Sequence, residues 1–174
     1  MESAIPKPWE LHPMLVHFPI AFLLGGVVFL LWAWRRPNEM RHRAAAGMLL
    51  AGMILGWLAA AAGGLAYFTV PAHTEEGHIL MYWHLGLGLA MLALFTWVSI
   101  TRWRSRTTGA TRPQLIAAIV GVVLLMFTGY VGGSIVYHHG AGVDPKILAR
   151  EIREGHTHQN PKNHDDSAHE HTEH

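Results

Sequence analysis

The chain has 174 residues, 51% of them hydrophobic and only 14% charged, against roughly 25% charged in an average soluble domain, so lipid is the expected solvent. Its formal net charge of +1 singles out neither nucleic acid nor an acidic partner, because the charges are sorted along the chain. Cysteine is absent, which excludes disulfides, thiolate zinc sites, iron–sulfur ligation and covalent haem attachment through Cys-x-x-Cys-His, and leaves His, Met, Tyr or carboxylate to hold any metal or haem.

The start, Met1 to Leu11, sets Glu2 and Glu10 against a single Lys7. It has neither the basic region nor the small-residue cleavage site of a signal peptide, so the first helix is expected to stay as an anchor. Four apolar runs follow, each long enough to cross a hydrocarbon core of about 30 Å. The first spans about 13–34 and opens with Pro13 and Pro19. Proline is tolerated in a first turn, but Pro19 lies deeper and predicts a kink around His17. The second, about 44–70, is rich in Ala and Gly, with Gly52 and Gly56 four apart and then Gly63 and Gly64. Such small residues let helix backbones approach closely in lipid. The third covers about 79–100 and the fourth about 114–137, with Gly129 and Gly133 again four apart. Aromatic residues near the ends of the runs suit the headgroup level.

The connection 35–43 carries Arg35, Arg36, Arg41 and Arg43 against Glu39, and the connection 102–112 carries Arg102, Arg104, Arg106 and Arg112 against no acid. Positive residues stay inside, so both are expected to be cytoplasmic. The connection 71–77 has Glu75 and Glu76 with no Lys or Arg, which puts it outside with both termini. The fold class expected is therefore all-α: an integral membrane four-helix bundle over 1–143 with both termini outside. Asp144 to Glu154 reads as a short amphipathic helix, with Asp144 and Pro145 at its start and Ile147, Leu148 and Ile152 as its apolar stripe. Residues 155–174 are polar, cannot build a core, and are expected to be disordered.

Of the fourteen histidines, this topology leaves only His42 on the cytoplasmic side. His12, His17, His73, His78, His84, His138 and His139 belong to the folded part, and a histidine inside a span marks a site by default because burying an imidazole in hydrocarbon requires a partner. His17 and His84 both lie roughly 6–8 Å below the outer boundary at 1.5 Å per residue. Two imidazoles at one depth on different helices suit a haem with two axial histidines, with Gly25, Gly26, Gly86 and Gly88 as candidates to leave it room. His12, His73, His138 and His139 lie at the rim, where they can ligate a second haem or a divalent metal. The plainer alternatives are that His12 caps a helix, that His78 and His138 are interfacial, and that His17 and His84 bond a hydroxyl or a backbone carbonyl. Met14, Met48, Met53, Met91 and Met126 show no repeated spacing and read as packing residues. In the tail, His156, His158, His164, His169, His171 and His174, with Asp165, Asp166, Glu170 and Glu173, form a loose chelator for Cu, Zn or Ni.

Three stretches carry a resemblance. They are Leu11-His12-Pro13-Met14-Leu15-Val16-His17-Phe18-Pro19-Ile20, His84 early in the third helix, and Gly129-Tyr130-Val131-Gly132-Gly133 continuing to Val136-Tyr137-His138-His139-Gly140-Ala141-Gly142-Val143. Over about Leu11 to Val143 the chain resembles a bacterial family of four-helix membrane proteins known as a domain of unknown function, number twenty-two thirty-one. The resemblance narrows the candidates to His12, His17, His84 and His139. Members joined to Rieske or cytochrome c-like domains imply a place in membrane electron transfer. The chain departs from the family pattern in lacking an acidic residue in Gly64-Leu65-Ala66-Tyr67-Phe68 and in having Gly88 where an Asn often stands.

The leading expectation is a b-type cytochrome with haem b on His17 and His84 and a second haem or metal on His12 and His139. Its expected partners are the lipid bilayer, a periplasmic cytochrome c or Rieske protein, or a larger membrane complex, and no nucleic acid. A Cu or Zn handling protein and a purely structural subunit are the alternatives. No nucleophile–base set, phosphate loop or HExxH motif appears, so hydrolysis and phosphoryl transfer are not expected, and an electron-transfer or binding role is favoured over a stand-alone enzyme.

Overall fold

The computed structural model describes residues 5–70 and 75–142. A 3-10 turn, Pro8–Glu10, leads into five α-helices: α1 Leu11–Leu15, α2 His17–Arg35, α3 Glu39–Thr69, α4 Glu75–Arg104 and α5 Arg112–Tyr137. The described residues contain no strand. The expected short helix at 144–154, the His-rich tail and His73 lie outside the described residues.

The break between α1 and α2 falls at Val16. Pro19 has no N–H to give the carbonyl of Leu15 four residues back, so the helical ladder loses a rung there. The helix is interrupted for one residue where the kink was expected, while Val16 itself keeps right-handed helical angles, φ −61° and ψ −26°. At the other end of α2, the Asn38 side chain caps α3 by accepting from the Met40 N–H at 2.9 Å. Thr111 and Gln114 start α5 as a capping box, the Thr111 N–H donating to Gln114 Oε1 at 3.0 Å.

The long helices run antiparallel in sequence order. Close packing of α2 on α3 rests on a reciprocal exchange of leucine and glycine. A Cβ built on Gly26 would lie 2.8 Å from Leu49 Cγ, and one built on Gly52 would lie 2.8 Å from Leu23 Cγ. Each leucine thus occupies the space its partner's glycine leaves vacant, and both leucines are fully buried. Helix α3 meets α4 at Gly56, which faces Leu92, and through two polar links: Ser99 Oγ donates to Leu49 O at 2.9 Å and Trp57 Nε1 donates to Thr96 Oγ1 at 3.0 Å. Phe95 of α4 is fully buried with its ring edge over Gly121 of α5. Contacts of α2 with α5 close the bundle.

Outside this core the packing inverts the soluble pattern. Large apolar side chains are exposed along every long helix, among them Val28, Trp57, Leu58, Leu89, Met126 and Phe127. Four helical segments, Pro8–Arg35, Glu39–Thr69, Glu75–Arg104 and Arg112–Tyr137, are long and apolar enough to cross a membrane. An exposed surface of this kind is stable only in lipid.

Arg102, counted above among the loop charges, is fully buried. Its guanidinium donates to Thr108 O at 3.0 Å, Gly109 O at 3.3 Å and Ser105 Oγ at 3.2 Å. Those acceptors lie just past the end of α4, where carbonyls have no intrahelical donor, so Arg102 closes its own helix terminus from within.

Candidate functional site

The short segment α1 packs on α3, and this brings His12 onto the backbone of the second long helix. His12 Nδ1 lies 2.7 Å from Ala59 O. On the other hairpin, His84 Nδ1 of α4 lies 3.0 Å from Thr128 O of α5. A carbonyl oxygen only accepts, so each Nδ1 carries the proton and donates; in the neutral ring Nε2 then keeps its lone pair.

The two docking arrangements share one construction. Each accepting carbonyl belongs to the residue four before a glycine: Ala59 before Gly63, and Thr128 before Gly132. In an α-helix the Cβ of residue i+4 tilts back over the carbonyl of residue i, so a glycine there opens that carbonyl to a side chain from outside. A Cβ on Gly63 would sit 2.9 Å from His12 Nδ1, and one on Gly132 would sit 2.9 Å from His84 Cε1. Both are closer than side-chain carbons approach. Thr128, the other polar residue at this level, turns its hydroxyl back to Leu124 O at 2.8 Å and leaves its carbonyl for His84.

The rings anchored in this way meet. The His12 and His84 centroids are 6.0 Å apart with planes at 88°. Both residues are partly buried, and together they link α1, α3, α4 and α5 at the end of the bundle that holds the chain's N-terminus. The histidine facing His84 is therefore His12. His17, the first residue of α2, is exposed. The expectation paired His17 with His84 by depth, but depth does not fix the direction in which a side chain points around the helix, and His12 and His17, five residues apart, lie about 140° apart around it.

The other candidates are placed as follows. His138 is exposed, its Nδ1 3.2 Å from Ser134 Oγ, and His139 is partly buried in the turn after α5. That turn depends on left-handed backbone at Gly140, φ 64°, and Gly142, φ 85°, which glycine adopts without a steric cost. It returns the chain to the N-terminal turn: Gly142 faces Trp9, and Ala141 is buried. The two ends of the bundle sequence meet there. The glycines expected to leave room for a cofactor do not adjoin an imidazole. Gly25 and Gly26 face Met48 and Leu49, Gly88 faces a Thr128 methyl, and Gly86 meets open space. The glycines that adjoin the imidazoles are Gly63 and Gly132. Among the described residues, no three His, Asp or Glu side chains gather as a metal-ligand group, and the six tail histidines lie outside the described residues.

A family model described as a predicted membrane protein, DUF2231, matches residues 8–145. The chain belongs to this family. The match runs from the 3-10 turn through the turn after α5 and so takes in both imidazoles and both glycines of the paired site. No curated protein and no solved structure matches the chain.

Proposed function

We propose that this family member is a b-type cytochrome-like membrane protein that takes part in respiratory electron transfer, with haem held between His12 and His84. The observation that carries the reading is the pair itself. Two imidazoles from different helices, each anchored through Nδ1 and so keeping a lone pair on Nε2 when neutral, lie with ring centroids 6.0 Å apart, and these are the residues that would hold the iron of a haem. The donor count favours haem over a bare divalent ion. Two protein nitrogens suffice for an iron whose other ligands come from a porphyrin, whereas a closed structural zinc site takes four protein ligands and a catalytic one three.

The residues around the pair would do the rest. Donation from Nδ1–H to Ala59 O and Thr128 O fixes each ring's tautomer and rotation and makes Nε2 a stronger ligand. Gly63 and Gly132 hold the rings at that register. When bound, haem supplies one-electron redox chemistry, and axial ligation, burial and hydrogen bonding set its potential. The arginine-rich connections support a cytoplasmic placement for 36–38 and 105–111. By that argument the imidazole pair and both termini face the periplasm of a bacterial inner membrane, where a cytochrome c, a Rieske protein or a larger complex can exchange electrons with it.

An absorption spectrum of the protein purified after expression with ample haem tests the proposal. A Soret band is expected, lost in His12→Ala and in His84→Ala and retained in His17→Ala. A colourless parent protein, or a spectrum indifferent to both of the first two changes, refutes it. The second reading, Cu or Zn capture, draws on the composition of the tail. Its test is whether removing 155–174 lowers the metal content of cells while leaving any haem spectrum intact.

A further inference from the structure

At the opposite end of the bundle from the imidazole pair, α3 and α4 each bury a nitrogen that no hydrogen bond uses. Among the described residues, His42 Nδ1 and Arg102 Nε are the two buried side-chain polar atoms without a hydrogen-bond partner. Arg102 is fully buried and His42 is 4% exposed. The register of the two helices sets them at one level. Ser99 Oγ of α4 donates to Leu49 O of α3. His42 stands before Leu49 in α3, about 10 Å nearer the arginine-rich end. Arg102 follows Ser99 by almost one turn of α4, and its guanidinium extends further in the same direction, to the carbonyls of Thr108 and Gly109. The Arg102 charge acts on the His42 ring.

From this juxtaposition we infer that His42 Nδ1 and Arg102 Nε form a binding site for a monatomic anion, chloride or another halide. A guanidinium Nε always carries its proton and only donates, and a neutral imidazole donates from Nδ1 when its single proton sits there. Two N–H donors from neighbouring helices can then share one acceptor. The charge of Arg102 calls for that acceptor to be an anion. Its hydrogen bonds go to Ser105 Oγ, Gly109 O and Thr108 O, which are all neutral. Among the described residues the ion pair at this end joins Glu39 to Arg43 on an exposed face of α3. A buried cation without a counter-charge is costly, and an anion on Nε supplies one.

The surroundings select the same class of ligand. This end of the bundle carries the arginines of both connections against the single acid Glu39, and a positive field of that kind favours an anion over a water molecule. Along the same helix faces the next side chains, Ala45 and Ala46 on α3 and Val98 on α4, are fully buried and apolar. Two donors among apolar walls leave most oxygens of a phosphate or sulfate without a partner, whether it is free or part of a lipid headgroup. A halide has no further acceptor to satisfy and packs against methyl groups.

The site shares no residue with the imidazole pair, so the outcome is independent of haem. The test uses the full chain in nanodiscs of neutral lipid, held at constant ionic strength with gluconate, and titrates chloride while reading the broadening of the chloride NMR line. Saturable broadening is expected, reversed by bromide and not by sulfate. His42→Leu removes one of two donors to a charged acceptor and is expected to weaken binding about tenfold or more. His42→Asn, whose amide nitrogen takes roughly the place of Nδ1, is expected to stay within about threefold of the parent. Screening of surface arginines would instead respond to sulfate at least as strongly as to bromide and ignore both changes at His42. Absence of saturable broadening in the parent, reversal by sulfate as effective as by bromide, or equal binding by His42→Leu and His42→Asn overturns the inference.

Discussion

Replacing Gly132 by alanine tests the way the imidazoles are anchored, independently of any cofactor. The new Cβ would lie 2.9 Å from His84 Cε1 and 3.2 Å from Nδ1. The ring has to retreat by about 0.5 Å or more to reach ordinary carbon contact, which stretches the 3.0 Å bond to Thr128 O to about 3.5 Å, the limit at which it ceases to count as a hydrogen bond. Losing that bond in a membrane protein costs about 0.6 kcal/mol on average and up to ~1.7, and overpacking adds about 1–3 kcal/mol where the neighbours cannot yield. The intrinsic gain of a helical Gly→Ala change, about 1 kcal/mol, opposes this. Gly133 is the internal control, because a Cβ there meets nothing within 4 Å, so the intrinsic gain cancels in the comparison. Gly132→Ala is therefore expected to be less stable than Gly133→Ala by about 1–3 kcal/mol, measured by helical circular dichroism during SDS unfolding in mixed micelles. In a His84→Ala background the gap should close. Equal stability of the two alanine variants with His84 present would refute the account of glycine as an opened carbonyl.

Three further outcomes follow from other parts of the fold. Arg102→Met leaves the carbonyls of Thr108 and Gly109 without their donor and is expected to destabilise the bundle by about 2–4 kcal/mol in the same unfolding assay, with Arg102→Lys recovering only a minor part because an ammonium cannot span the same acceptors. Since the chain has no cysteine, single cysteines report topology without background. Arg106→Cys should react with an impermeant maleimide only after the cells are opened, and His138→Cys in intact spheroplasts; the reverse pattern overturns the proposed orientation. Removing 155–174 should abolish most nickel or zinc retention by the purified protein while leaving its thermal midpoint within about 1 °C, because a segment without bulky apolar residues adds little to a core.

The four spans were legible because hydropathy and length are local properties, and lipid gives no other way to satisfy the backbone. The interruption at Val16 was legible for the same reason: Pro19 removes a particular N–H whatever surrounds it. His84 stood out as a histidine within a span, where an imidazole requires a partner. The identity of that partner was not legible, because the packing of α1 on α3 determines which of His12 and His17 turns inward, and it depends on residues more than forty positions away. The same limit applies to the glycines. Gly63 and Gly132 look no different in sequence from Gly64 and Gly133, and only the approach of a ring from another helix distinguishes them. The burial of Arg102 was not legible because a charge count along a loop does not reveal that three acceptors within seven residues allow one arginine to be buried.

The distances along the chain between donors and acceptors carry a consequence for biogenesis. Arg102 finds its acceptors three to seven residues ahead, so its charge is satisfied as soon as that short segment has been synthesised. His12 and His84 must wait for carbonyls 47 and 44 residues downstream. The first imidazole is seated only when α3 has entered the bilayer, and the second only with α5, the last of the four spans. The paired site is therefore completed only after all four spans have been made, and whatever occupies it is loaded into the assembled bundle rather than onto its first hairpin.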